Sequence, residues 1–340
     1  MRTGAAPWQR ACDVMSGCRM RTMLKSVRFR AVLLVFALQA CCFAENAGQD
    51  AITRASDLFR AGKIKQAEAL LRSASAADPN SATLHGALGE LLFKEHKYED
   101  SVQELGLATQ QDPESIEYNL LLSEALIGWK HEGVAVEFLN AVRPKFGKEP
   151  QFHYDLGLAY YNLNKMNESQ GEFQEALRLA PNLERAQFMF AACLASTSDP
   201  TKATDILRKL VKEYPSNPIY WATLGQILGP MGGEGSAEAV KAVRRALVLA
   251  PHDPHTQYVA ATVFVQTGDF AASRPLLEHL EKVDPKVLSV HVQLARVYSR
   301  LGQRELARKE TEIANELQKQ SAAGNQPPSP EQQGGGSEQR

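Results

Sequence analysis

The body of this chain is nearly without cysteine. Of the five cysteines, Cys12, Cys18, Cys41 and Cys42 lie in the first 44 residues, and only Cys193 lies beyond them. No intrachain disulfide and no paired-cysteine zinc site can therefore form past residue 44. Cys193 reads as a small apolar filler rather than a nucleophile. Long apolar runs are lacking as well: the uncharged stretch Ala31 to Ala44 is 14 residues, where a membrane-spanning helix needs roughly 20. A surplus of positive charge is missing from the body. The formal net charge is −1, but residues 1–44 carry +6, which leaves −7 for the rest. Neutralising phosphates needs a basic surface, so nucleic acid is not an expected partner.

What the first residues do have is the build of an export signal. Lys25, Arg28 and Arg30 precede the apolar run Ala31 to Leu38, and a small-residue end follows, with cleavage expected after Ala44. Residues 1–44 are therefore read as a basic N-terminal region with a secretory signal sequence. The 22 residues before Met23 show no period, and translation is expected to begin at Met23. Leu38-Gln39-Ala40-Cys41 also looks like a bacterial lipoprotein box, with Cys41 the lipidated residue. Gln39 fits that pattern poorly, and ordinary cleavage is the preferred reading.

The rest is organised around Pro150 to Pro181, PQFHYDLGLAYYNLNKMNESQGEFQEALRLAP. Apolar residues recur at three- and four-residue intervals: Leu156, Tyr160 and Leu163, then Phe173, Ala176, Leu177 and Ala180. Asn164 to Asn167 interrupts the pattern, and Pro181 stops the second helix by removing a backbone donor. Proline spacing shows that the stretch is one of many. Pro79 to Pro113 is 34 residues, Pro113 to Pro181 is 68, and Pro181 to Pro215 is 34. Pro215 to Pro251 is 36, and Pro251 to Pro285 is 34 again. Leu156, Gly157, Tyr160, Ser169, Phe173, Ala176 and Pro181 together resemble the tetratricopeptide repeat. That resemblance implies an all-α chain, a right-handed α-solenoid of about eight helix-turn-helix repeats over residues 49–320. Residues 321–340 hold no bulky apolar side chain and read as a disordered tail.

The units are not identical. The third carries Ser123 at the glycine position and Gly147 at the proline position. In the fifth, Asp199 is the expected cap of the second helix, with Pro200 at its first position. The sixth has a two-residue insertion in a glycine-rich turn, 229–236, expected to be a flexible lobe. In the seventh, Pro275 is expected to bend or delay the second helix. The eighth ends in a charged helix suited to cap the stack, because nothing packs beyond it.

Resemblance to the family also implies that the first helix of each unit lines a concave face. The candidate partner-binding residues there are Tyr154, Tyr161, Asn162, Arg185, Phe188 and Tyr258. Aromatic side chains that the fold does not require can grip an extended peptide or a helix, and Asn162 and Arg185 can bond its backbone or carboxylates. The competing reading is that Tyr161 and Phe188 merely pack against each other. Two better-defined family sites are absent. Inward pairs such as Gly86/Glu90 and Val292/Arg296 lack the carboxylate clamp of chaperone-tail binders. Thr53, Ala87, Leu121, Asp155, Met189, Thr223, Val259 and Gln293 lack the asparagine ladder of glycosyltransferase superhelices.

No catalytic, cofactor or metal set is legible. His252-x-x-His255 lies beside an inter-repeat turn without two further ligands, and the 229–236 turn lacks the lysine of a phosphate loop. The expectation is a non-enzymatic scaffold of the cell envelope, periplasmic or secreted, that holds a protein or peptide. Its alternative is a lipid-anchored outer-membrane assembly or pilus-biogenesis subunit. A membrane enters only through that anchor.

Overall fold

The structure is a computed structural model, and it describes residues 47–197 and 199–324. The expected signal, the alternative Cys41 anchor and the expected tail from residue 325 onward lie outside the described residues. Among those described, 16 α-helices and one 3-10 turn follow one another with no strand. The helices fall into two compact units, one ending at Phe146 and the other beginning at Gly147.

The first unit holds α1 (47–60), α2 (Ile64–Ala77), α3 (Ala82–Lys94), α4 (Tyr98–Gln111), α5 (Ile116–Gly128) and α6 (Glu132–Phe146). The second begins with α7 (Pro150–Asn162), α8 (Met166–Leu179), α9 (Glu184–Thr197), α10 (Pro200–Glu213) and α11 (Pro218–Leu228). It continues with α12 (Gly233–Leu249), α13 (Pro254–Gln266), α14 (Phe270–Val283), α15 (Leu288–Arg300) and α16 (Arg304–Gly324). This is an all-α solenoid of helix hairpins. Within each unit the first helix of a hairpin also touches the first helix of the next: α3 with α5, then α7 with α9, α11 with α13 and α13 with α15. No two second helices approach as closely among the described residues. The closer layer of a bending stack is its inner one, so the first helices line the inner face.

Local chemistry explains the hairpins. Every hairpin turn but the one between α11 and α12 closes with a backbone bond from the residue after the turn to a carbonyl five residues earlier, as in Lys97 to Leu92, His131 to Leu126 and Lys165 to Tyr160. The residue just before that donor takes a left-handed φ: Gly62 at 72°, His96 at 59°, Lys130 at 61°, Asn164 at 59°, Gly268 at 83° and Gly302 at 77°. The paired helices can approach because one side of the contact is small. A Cβ on Gly157 would lie 2.8 Å from the Phe173 ring. Ser169 donates to the Gly157 carbonyl at 2.8 Å, as Ser101 does to Gly89 at 2.8 Å and Ser273 to Ala261 at 2.9 Å.

Three expectations need correction. The turn 229–236 is only half turn: Gly229–Met231 forms the 3-10 segment, and α12 is already helical from Gly233. Gly232 and Gly233 both take positive φ, which compresses the change of direction into two residues. Pro275 does not delay its helix, because α14 starts at Phe270 and runs through it. The eighth unit does not stop at residue 320, since α16 extends to Gly324. Asp199 does cap α10, its side chain accepting from the Lys202 N–H at 3.0 Å. No helix among the described residues is long and apolar enough to cross a membrane.

Candidate functional site

A side-chain rung recurs along the inner layer and ties six of the first helices, α3, α7, α9, α11, α13 and α15, to the preceding turn. His85 Nε2–H donates to the Pro79 carbonyl at 3.0 Å, His153 to Gly147 at 3.0 Å and His291 to Pro285 at 2.9 Å. Gln187, Trp221 and Gln257 make the same bond to Pro181, Pro215 and Pro251, at 2.7, 3.0 and 2.6 Å. All six donors stand six residues after their acceptors. Each satisfies a carbonyl that the interrupted helix leaves open. The three histidines carry a second bond, from Nδ1 to Glu104, Glu172 and Glu310 at 2.7, 2.6 and 2.7 Å. At His291, burial pushes the imidazole pKa down, but the bonds to Glu310 and Pro285 and the charges of Glu310 and Glu281 outweigh it. The net direction is upward.

Away from the rungs, α7, α9 and α11 together line a recess of about 610 Å³. Tyr161 from the end of α7, Phe188 and Met189 from α9, and Gln226 and Ile227 from α11 line it. Pro230 and Met231 of the 3-10 turn close one side, and Met231 is 46% exposed. The expected flexible lobe is thus part of the recess wall.

The six candidate residues separate on this frame. Tyr161 and Phe188 line the same recess. Phe188 has Tyr220 as a ring partner, centroids 5.1 Å apart, and Tyr220 is held by a 2.6 Å bond from its hydroxyl to Glu184. Burial, more than that bond, pushes the Tyr220 hydroxyl pKa well up. Tyr154 is 8% exposed and packs 5.8 Å from Phe173. The exposed Arg185 lies over its ring at 4.6 Å and donates to Gln151 at 2.9 Å. Asn162 is exposed at the end of α7. Tyr258 belongs to the core cluster of the seventh and eighth hairpins, with Val265, Leu277 and Leu294.

Family profiles described as tetratricopeptide repeat match residues 58–125, 150–183 and 185–217. A crystal structure of a tetratricopeptide repeat protein from Parabacteroides merdae ATCC 43184 is similar with a TM-score of 0.60. It is 14% identical, and the match covers 74% of this chain and 99% of that one. The chain belongs to the tetratricopeptide-repeat family. MamA from Desulfovibrio magneticus RS-1 aligns over 50% of this chain and 97% of its own, with 18% identity and a TM-score of 0.45. No curated protein matches the chain.

As a tetratricopeptide-repeat protein the chain is an interaction scaffold, and the recess has the chemistry for that task. Aromatic rings, methionines and an isoleucine give an adaptable apolar floor. Arg185 lies outside this lining, over Tyr154, and keeps guanidinium N–H groups beyond those facing Gln151. Sequence reasoning missed Gln226, Ile227 and Met231, which lie at the end of a helix and in a turn rather than along one stripe, and it placed Met189 inward without naming it as a binding residue. It also missed the donor rungs, whose 34-residue recurrence is visible once the units are aligned, because His, Gln and Trp share a ring or amide N–H and not a hydropathy. His252 sits in the turn before α13 and His255 in its first turn.

Proposed function

We propose that this tetratricopeptide-repeat protein is an exported binding scaffold whose second unit captures a segment of a partner protein. The recess at Tyr161 and Phe188 is the seat. Its mechanism is recognition without chemistry: apolar side chains of the partner bury against Phe188, Met189, Ile227 and Met231, while Arg185, one helical turn before Phe188 on α9 and outside the recess lining, meets a carboxylate or a backbone carbonyl-rich turn. The observation that carries this reading is a pre-formed apolar recess of about 610 Å³ on the layer where first helices meet. Pre-formation spares the partner's binding energy the cost of ordering the scaffold. Export rests on the basic-then-apolar stretch Lys25 to Ala44.

The test is a pull-down from cell envelopes with the Tyr161→Ala/Phe188→Ala double variant. Partner recovery is expected to disappear while the far-ultraviolet circular dichroism keeps its helical amplitude. Undiminished recovery by the folded double variant would remove this recess from consideration. The motif Leu38-Gln39-Ala40-Cys41 favours a second reading, a lipid-anchored assembly subunit. Radioactive fatty acid incorporated into the wild type and not into Cys41→Ser would support it, and no incorporation would remove it.

A further inference from the structure

The last two hairpins hold a cluster that the recess does not use. His291 of α15 is 1% exposed and Glu310 of α16 is 3% exposed. The Nδ1 of His291 and a Glu310 carboxylate oxygen lie 2.7 Å apart. Glu281, near the end of α14, brings a second carboxylate, and one donor atom from each of the three lies within 4.8 Å of the others. Glu281 is half-buried, and it has no ion-pair partner among the described residues. Three helices thus converge one imidazole nitrogen and two carboxylates on one point.

The same histidine–glutamate pair occurs at His85 and Glu104, and the comparison isolates what is different. There the third neighbour is the hydroxyl of Ser75, 3.2 Å from His85 Nδ1. There a single carboxylate faces the ring. At His291 two carboxylates face one ring, which gathers two acidic groups in a largely desolvated place. Charge left unbalanced by burial is costly unless a counter-charge joins it. A divalent cation held between them would balance the two carboxylates in full.

The ligand chemistry agrees with that arithmetic. A nitrogen and two carboxylate oxygens suit a first-row divalent ion of the zinc class, with one position left to solvent. His291 Nε2–H is already fixed on the Pro285 carbonyl at 2.9 Å, the outer bond that orients a metal-bound histidine and leaves the other nitrogen for the ion. The half-buried Glu281 supplies the way in. We propose that Glu281, His291 and Glu310 form a divalent-metal site of the zinc class, a clasp joining α14 of the seventh hairpin to α15 and α16 of the eighth. Its role is to lock the last described hairpin to the one before it.

The experiment uses the full chain stripped with a chelator and kept reduced, titrated with zinc chloride by calorimetry. Cobalt chloride followed by visible absorbance is the second probe. The comparison is with Glu281→Gln, which keeps the side chain's size and leaves the His291–Glu310 pair in place. The wild type is expected to bind one more equivalent of zinc than the variant, or to bind it at least about tenfold more tightly, since even outer-shell changes cost that much. It should also gain a cobalt d–d band and a zinc-dependent rise in Tm that the variant lacks. A His252→Ala/His255→Ala variant should keep both responses. Equal stoichiometry, affinity and Tm response in the wild type and Glu281→Gln would overturn the proposal, as would loss of both responses in the His252/His255 variant.

Discussion

Asp253 shows how much one residue can fix at the start of a helix. Its carboxylate accepts from the Thr256 N–H at 2.7 Å and the Thr256 hydroxyl at 2.6 Å, and the hydroxyl bond first, then the backbone bond, holds its pKa below the ordinary value. A depressed folded value means the cap contributes above the unfolded carboxylate range and is lost as pH falls through the lower folded value. Asp253→Ala is expected to cost about 1 kcal/mol near neutral pH. In thermal melts taken from pH 7 to pH 3, the gap between wild type and variant should narrow at the acid end. A constant gap would show that the carboxylate's charge is not what caps α13. Lys130 shows the opposite case, a residue at odds with its backbone. Its φ of 61° is one that glycine takes at Gly62, Gly268 and Gly302, and a left-handed non-glycine residue costs roughly 1–2 kcal/mol. Because glycine loses more chain entropy on folding, Lys130→Gly should raise stability by no more than about 1 kcal/mol, measured by urea unfolding. The left-handed requirement was legible in the sequence where glycine fills it and hidden at His96, Lys130 and Asn164, where a long or polar side chain does. The donor rungs were hidden for a related reason. Apolar periodicity reports which face is buried and is blind to which N–H crosses it.

At the scale of elements, the hairpins were the most legible feature, because proline and the three- and four-residue apolar spacing are both backbone-level signals. The errors fell where tertiary contact overrides a local breaker. Gly233 and Gly235 read as loop, yet they are helical at the start of α12, and the side of Gly235 faces Leu228 and Met231 across the turn. Pro275 sits inside α14 because Leu277 and Leu280, on the same helix, are anchored in the core of the last hairpins. The closest helix contacts are set by small residues, and there the sequence was a sound guide. A Cβ on Gly225 would lie 2.5 Å from Val243 Cγ1 and 3.0 Å from the Ala239 carbonyl. Because one of those neighbours is backbone, the clash cannot be relieved by a rotamer change alone. Gly225→Ala should force α11 and α12 apart at a cost of about 1–3 kcal/mol, read as a lower urea midpoint with little change in m. An unchanged midpoint would mean that the pair is looser than the contact distances say.

For the molecule as a whole, the repeat architecture follows from one physical need, that a helix hairpin cannot bury its apolar side alone and must lean on the next. The core clusters show it: Leu207, Leu224, Val243 and Phe264, from the fifth, sixth and seventh hairpins, form one buried group. With the second helices standing apart and the first helices in contact, the inner layer is where an apolar recess can persist without being filled by the fold itself. Tyr161 and Phe188 were legible as its residues because family resemblance fixes which positions turn inward. Met231 and Ile227 were not, because their place depends on how the insertion in the sixth unit folds back. The most direct measurement of the binding account is site-specific photo-crosslinking in intact cells, with a benzophenone amino acid placed at Phe188 or at Val248. Val248 lies on the second helix α12 and is 70% exposed. The account predicts a discrete adduct from Phe188 and none from Val248; an adduct from Val248 with none from Phe188 would contradict it.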